Sequence, residues 1–429
     1  MRKNFYLGLA LSLVLILLGA NLVMAQEVDL SFMHFQTGES QDADDVAFHM
    51  MFEQFKEENP EVDLDTELLD IDSYYMKIKT LAAANELPDI FPIRSSMINT
   101  FLDNGLIIDW SQELGEDGWG EGFIDGAFTD FRQDGGIYGI PWSMGATSLI
   151  YYNQEIFNEV GIEEFPREWG DFITAIEKLK EAGYTPIALG NKGKWVANSC
   201  ILSALADRYT GTEWFHNILE REGAAFTDPE FVAALGALEE LAAVGAFNPD
   251  MNSIDANQQK SLYYNKDAAM FIEGHWAINS IMEQAPEDII ENTMIDIIPA
   301  VPEGKGEQRA TSSGSGMGYQ INPELEGAER EAAVKFVKTV TGEEYSTHLI
   351  ERNGTPVFKT SDYDESKISR LKNDYMGIAN NVKFTPVYDL HLQPSLIEVM
   401  NTGMQELLIQ VTSPEELAER IQNEYESLE

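Results

Sequence analysis

Apolar and polar positions along this chain follow two rhythms in turn. Val28 to Phe35 alternates loosely, as a strand does, and Gln36-Thr37-Gly38-Glu39 follows as a polar turn. Val46, Phe48, Met51, Phe52 and Phe55 then recur at the spacing of one helix face, and Asn59-Pro60 ends that helix. Val62, Leu64, Thr66 and Leu68 alternate as a second strand. Tyr75, Ile78, Leu81 and Ala82 mark a helix, Pro88 to Phe91 a short strand, and Ile98, Phe101 and Leu102 a helix closed by Asn104-Gly105. Strand, helix, strand, helix, strand predicts a doubly wound unit with helices on both faces.

The stretch from Gly135 to Asn153, GGIYGIPWSMGATSLIYYN, breaks this rhythm. Pro141 cannot donate to a strand ladder, and Gly145 and Ala146 let the backbone bend or approach closely. Two apolar runs around a small-residue break fit a chain passing from one lobe to another, and equally a hairpin inside one sheet. Beyond it the same style resumes. Pro166 opens a helix carrying Trp169, Phe172, Ile176 and Leu179, and Pro186 to Leu189 reads as a strand. Asp228-Pro229 starts a helix as N-cap acid and first-turn proline, and Gly245 stops it. Ala268 to Ile272 is a buried strand running into Glu273-Gly274-His275-Trp276. Ile295 to Val301, interrupted by Pro299 and Pro302, is the candidate second crossing between lobes. Ser312 to Gly318, SSGSGMG, precedes a strand and a helix, and Ser413 to Glu416 carries a capping box for the last helix.

Arg2 and Lys3, the apolar run Phe5 to Ala20 and the small residues of Val23-Met24-Ala25 predict a cleaved export leader over residues 1–25. No Cys stands near that site, so no lipid anchor is expected. The single Cys200, in an apolar context, reads as a buried structural thiol. The length of the remainder implies two lobes or more. Net charge is −45, spread along the chain, and no Lys/Arg cluster offers a footprint for nucleic acid or anionic membrane. The hypothesis this charge supports is a salt-rich habitat, where ions screen the self-repulsion.

Catalytic signatures are mostly missing. The six histidines are scattered, none at metal-ligand spacing with another His or Cys, and neither metal nor cofactor is expected. Carboxylate pairs carry no specificity in so acidic a chain. Aromatic and polar residues beyond strand ends remain, where open α/β units bind ligands. They are Glu39, Arg94, Trp142, Trp195, Trp276 and the SSGSG loop. Indole faces can cover the C–H face of a sugar ring while neighbours bond its hydroxyls. Each has a plain alternative: Trp276 as a core plug, Trp142 as a packing wedge, Glu39 and Asp389 as solvated acids, Arg94 as an ordinary ion-pair partner.

Four segments in colinear order resemble bacterial extracellular solute-binding proteins of the sugar class, the capture subunits of ABC importers related to maltose-binding protein. They are YYMKIKTLAAANELPDIF with FLDNGL, GGIYGIPWSMGATSLIYYNQEIF, AAMFIEGHWAINSI, and TSSGSGMGYQINPE. The resemblance implies a two-lobed α/β fold, each lobe a mixed, mainly parallel sheet flanked by helices, closing by a hinge. It implies one lobe of residues 26–143 and 299–340 and another of 144–298 and 341–429. It implies a ligand site built from Gln36, Thr37, Glu39, Arg94, Ser95, Trp142, Met144, Trp195, Trp276, Gly314, Ser315 and Asp389. Trp276 matches the family's GxW stacking aromatic. Where maltose-binding protein has a sugar-touching acid this chain has Gly145, so maltodextrin is not the implied ligand. The implied role is a monomeric exported receptor in the periplasm or outside the cell, not an enzyme, passing a neutral sugar to permease subunits. A secreted carbohydrate-active enzyme, or a binder of a polyamine or sugar phosphate, stands as the alternative.

Overall fold

The computed structural model describes residues 27–36, 42–124 and 126–428. The leader expected at residues 1–25, and Thr37 and Glu39, lie outside them. One sheet has the strand order Val62–Leu68, Val28–His34, Ile90–Arg94, Met317–Ile321, Ile140–Pro141. The first three strands run parallel, as strand-helix-strand repeats require, and the two that arrive from elsewhere pair antiparallel. Alternation sends Phe32 and Ile90 to one face, where they meet Phe48, Phe55 and Phe336 of flanking helices. Met33 and Phe91 go to the other face, against Tyr74 and Ile78.

A second sheet has the order Thr293–Ile297, Leu149–Asn153, Ala268–Glu273, Thr185–Ala188. Leu149–Asn153 is buried throughout, with Ile150 and Tyr152 facing a large helical core and Leu149 and Tyr151 a smaller one. The large core takes Phe172 and Ile176 from helix Trp169–Glu181 and Leu235 and Leu238 from Pro229–Val244. Leu407, Leu417 and Ile421 join it from the last two helices. Cys200 lies fully buried in the same core, as a free thiol. Ser413 and Glu416 form the expected capping box. Asp228 does not cap its helix; its carboxylate instead accepts from the Trp214 indole N–H and the Ala225 amide.

The stretch from Gly135 to Asn153 carries the chain from the first sheet to the second, so its two apolar runs do not pair as one hairpin. Arg132–Gln133 and Gly136–Ile137 form a hairpin, with Asp134 and Gly135 at φ of 49° and 88°, the left-handed pair such a two-residue turn needs. Ile140–Pro141 then closes the edge of the first sheet, where a proline costs no ladder bond. Gly145–Ala146 joins a small sheet between the lobes, and Leu149 enters the second sheet. A Cβ on Gly145 would lie 2.7 Å from His275 Nδ1, so only glycine fits this crossing as it stands.

The second crossing is not at Ile295–Val301. Thr293–Ile297 is an edge strand of the second sheet, and Ile298 and Val301 stay in that lobe's core. The Trp169 amide donates to Ala300 O at 2.8 Å. Pro299 and Pro302 end the strand without sending the chain out. It crosses later, at Ala310–Gly314, antiparallel to Gly145–Ala146 and parallel to Lys383–Thr385. At the other boundary, helix Glu343–Ile350 packs Tyr345 and Leu349 into the first lobe's core, as does Val357. That lobe therefore extends past residue 340, because Gly342 turns the chain between two helices on the same core rather than releasing it.

Candidate functional site

Strands Ile90–Arg94 and Ala268–Glu273 end toward the seam between the lobes. Arg94 closes strand Ile90–Arg94, and its Nη1 donates at 2.8 Å to Oδ2 of Asp389 in the other lobe. Its Nε donates to the Tyr75 hydroxyl at 2.7 Å, and the guanidinium lies over that ring at 4.8 Å. Ser95 follows and donates to Leu390 O at 2.6 Å. Asp389 is held by its neighbour Tyr388, whose ring stacks on Phe215 at 3.9 Å inside the second lobe. Its Oδ2 also accepts from the Ser199 hydroxyl at 2.7 Å, while Oδ1 is buried with no partner. A buried acceptor without a donor is costly, and a ligand hydroxyl would relieve it.

Ser199 belongs to a turn of π-helix, Val196–Leu202, that begins just after Trp195. Trp195 and Trp276 are both half-buried, with ring centroids 6.2 Å apart and planes 51° to one another. Trp276 sits where strand Ala268–Glu273 turns into helix Ala277–Gln284. Its indole lies across Gly274, where a Cβ would come within 2.1 Å of the ring. The indole N–H donates to Glu273 Oε1 at 2.8 Å. Glu273 Oε2 accepts from Gln259 at 3.2 Å, and the buried Lys260 ammonium stands 3.7 Å from Oε1. Lys260 reaches across the seam to Asp42 Oδ1 at 3.3 Å. Burial alone would lower the pKa of this ammonium, but Asp42 and Glu273 outweigh it and raise its pKa.

The other residues singled out from sequence stand elsewhere. Trp142 is only 6% exposed and packs in the first lobe's core, 4.9 Å from Tyr319 and 6.4 Å from Phe35. It is a packing residue rather than a wall of the seam, because the short edge strand before it turns the indole inward. Met144 packs against the same core, and its amide donates to Thr355 O. Gly314 ends the second crossing, and Ser315 is spent on the first lobe: its amide donates to Asp130 Oδ2 and its hydroxyl to Ala127 O. The SSGSG loop thus lies where the chain crosses between the lobes. Ser312 hydroxyl bonds those of Thr147 and Ser148 at 2.9 and 2.5 Å, tying the two crossings together. Gln36 is buried beyond its strand and accepts from the Tyr319 hydroxyl at 3.1 Å, leaving its side-chain NH2 without a partner.

Sequence reasoning missed Asp42, Lys260 and Glu273. The available signal was Glu273 itself, a carboxylate closing an otherwise apolar strand, since a buried acid demands a partner. Among the described residues no group of three or more His, Cys, Asp or Glu is placed to hold a metal, and no helix is long and apolar enough to cross a membrane. The single Lys260 ammonium stands between Asp42 and Glu273, one positive charge shared by two carboxylates. The seam offers indole faces, carboxylates, an amide and hydroxyls, which suits hydrogen-bonded capture.

The profile of the family described as bacterial extracellular solute-binding protein matches residues 39–347. A putative binding protein of Brucella abortus is 25% identical over 268 residues, 62% of this chain and 63% of that protein, so the chain matches less than two thirds of that relative's length. The diacetylchitobiose binding protein of Streptomyces coelicolor is 21% identical over 65% of this chain and 62% of its own. Among solved structures, a chitin oligosaccharide binding protein superimposes with a TM-score of 0.85 at 23% identity, covering 94% of this chain and 98% of that one. A protein from work on xylan utilization by Caldanaerobius polysaccharolyticus gives 0.83 at 24%, covering 92% and 100%. These structural likenesses establish a shared two-lobed fold.

Proposed function

The chain belongs to the bacterial extracellular solute-binding protein family, and from that membership we propose that it captures a neutral sugar between its lobes and delivers it to the permease of an ABC importer. On this reading it is exported, works as a monomer and releases its ligand unaltered. The observation that carries the sugar is the pair of half-buried indoles, Trp195 and Trp276, beside hydrogen-bonding groups at the seam. Two such faces can sandwich or flank a pyranose ring. Asp389, Ser199 and Arg94 stand ready for hydroxyls, with Gln36 on the first lobe's side. The relatives named for diacetylchitobiose and chitin oligosaccharides support an oligosaccharide over a single sugar. The crossings at Gly145–Ala146 and Ala310–Gly314 form the proposed hinge.

A thermal-shift screen against neutral di- and oligosaccharides, including N,N′-diacetylchitobiose, xylotriose and stachyose, tests this. Ligand at about a hundred times its dissociation constant adds ~2.7 kcal/mol of stability, a readily measured rise in melting temperature. No response to any sugar, or release of new reducing ends on prolonged incubation, would overturn the reading.

A further inference from the structure

Two donors face the same oxygen of Glu273. The Trp276 indole N–H takes Oε1 at 2.8 Å, and the Lys260 ammonium stands off that oxygen at 3.7 Å, too far for a hydrogen bond. Lys260 is drawn instead to Asp42 Oδ1, at 3.3 Å, and Asp42 belongs to the other lobe. Asp42 occupies the N-cap position of helix Ala43–Glu58 but its side chain does not cap that helix, so the carboxylate is turned across the seam. Glu273 and Lys260 are each about 2% exposed, so neither can exchange its partner for water. Gln259, which holds Oε2, is itself fixed by accepting from the Gly190 amide at 2.7 Å. The carboxylate is therefore pinned on one side, and only Oε1 is contested.

We propose that Lys260 and Glu273 are positioning residues that couple lobe closure to the orientation of Trp276. With the lobes closed, Asp42 draws the Lys260 ammonium away and leaves Oε1 to the indole, which is then held flat over Gly274. With the lobes apart, Asp42 withdraws and the ammonium falls back on Oε1, its one remaining carboxylate among these groups. The ammonium is the stronger donor, and its approach to Oε1 weakens the indole's hold on that oxygen. The stacking face is thus set when the cleft shuts and loosened when it opens, which favours both grip and release. The inference rests on the proposed sugar capture for its purpose, but its geometry can be tested without any sugar.

The test follows the indole N–H resonance of Trp276 in full-length mature protein, assigned among the chain's 7 tryptophans by its loss in Trp276→Phe. Asp42→Asn removes the pull on Lys260 and should move this resonance upfield. The double variant Asp42→Asn with Lys260→Met removes the competitor too and should return it to the native position. Asp42→Glu should also preserve it. Whichever of N,N′-diacetylchitobiose, xylotriose or stachyose binds the native protein should lose about tenfold in affinity in Asp42→Asn and regain most of that in the double variant. An unmoved resonance in Asp42→Asn, or one that the double variant fails to restore, overturns the proposal. If Lys260→Met does not fold, the contrast between Asp42→Asn and Asp42→Glu still decides. If no sugar binds the native protein, the functional reading fails while the resonance still tests the relay.

Discussion

Arg94 and Asp389 come from different lobes and meet at 2.8 Å between Nη1 and Oδ2, with the Asp389 side chain fully buried. Replacing Arg94 by Met leaves that carboxylate in the closed seam with only the Ser199 hydroxyl as donor. Breaking a buried pair by removing one partner costs about 3–5 kcal/mol. On the proposed hinge the lobes avoid that cost by opening, so Arg94→Met should show a larger radius of gyration in solution scattering without ligand. Asp389→Asn keeps hydrogen-bonding capacity toward both partners and should change it less. Equal radii for Arg94→Met and native protein would mean the pair does not hold the seam.

Two tryptophans that look alike in sequence should respond oppositely. Trp142→Ala empties a site in the first lobe's core beside Tyr319 and should destabilise the fold by ~3–5 kcal/mol. Trp276→Ala removes a half-buried ring at the seam and should leave the urea midpoint nearly unchanged while abolishing most sugar affinity. Denaturant titration and calorimetric binding on both variants separate the roles. Strong binding by Trp276→Ala would remove that residue from the site.

The strand-helix repeats from Val28 to Leu102 were legible because alternation and helical spacing are strong where one face is buried, as in Phe48 to Phe55. Trp276 and Trp195 stood out in the sequence because each follows a strand end, and the structure brings their rings within 6.2 Å of one another. The crossing at Ala310–Gly314 was not, since Ser and Gly suit a ligand loop and a tight inter-lobe pairing equally well. The prolines of Ile295–Val301 resembled a boundary but only end an edge strand. Lys260 lies on a helix, Ala256–Tyr264, with few apolar residues to set a face; its burial follows from partners 218 positions away at Asp42 and closer at Glu273. Spacing along the chain holds no trace of such a contact.

His275 gives the fold a dependence on acid. It is buried against the first crossing, its amide donating to Ala146 O, and burial with the nearby Lys372 charge lowers its pKa from 6.5 to about 3. The unfolded chain takes up this proton near 6.5 and the native chain does not until about 3. Its contribution is therefore fully present above pH 6.5 and is lost as pH falls toward 3, at ~1.4 kcal/mol per pH unit. Replacing His275 by Gln removes this dependence at that position. The stability difference between native protein and His275→Gln, from urea titrations at pH 7 and pH 4.5, should shrink or reverse toward acid. A constant difference would contradict the burial of a neutral imidazole.

The charge of −45 makes a prediction about salt that no single contact makes. Repulsion among many spread carboxylates acts over a screening length of roughly 10 Å at 0.1 M salt and 3 Å at 1 M. Surface ion pairs such as Lys56 with Glu53, half-exposed on one helix, contribute little and weaken in salt too. The buried pairs at the seam, Arg94 with Asp389 and Lys260 with Asp42, are screened far less because water and ions reach them poorly. Relief of the long-range repulsion should therefore win, and the melting temperature should climb from low salt to molar sodium chloride. Because sodium chloride at molar strength also favours apolar burial, the control is a chain with several exposed acids changed to Gln, whose rise should be smaller. A flat or falling melting temperature in the native chain would remove the argument for a saline habitat.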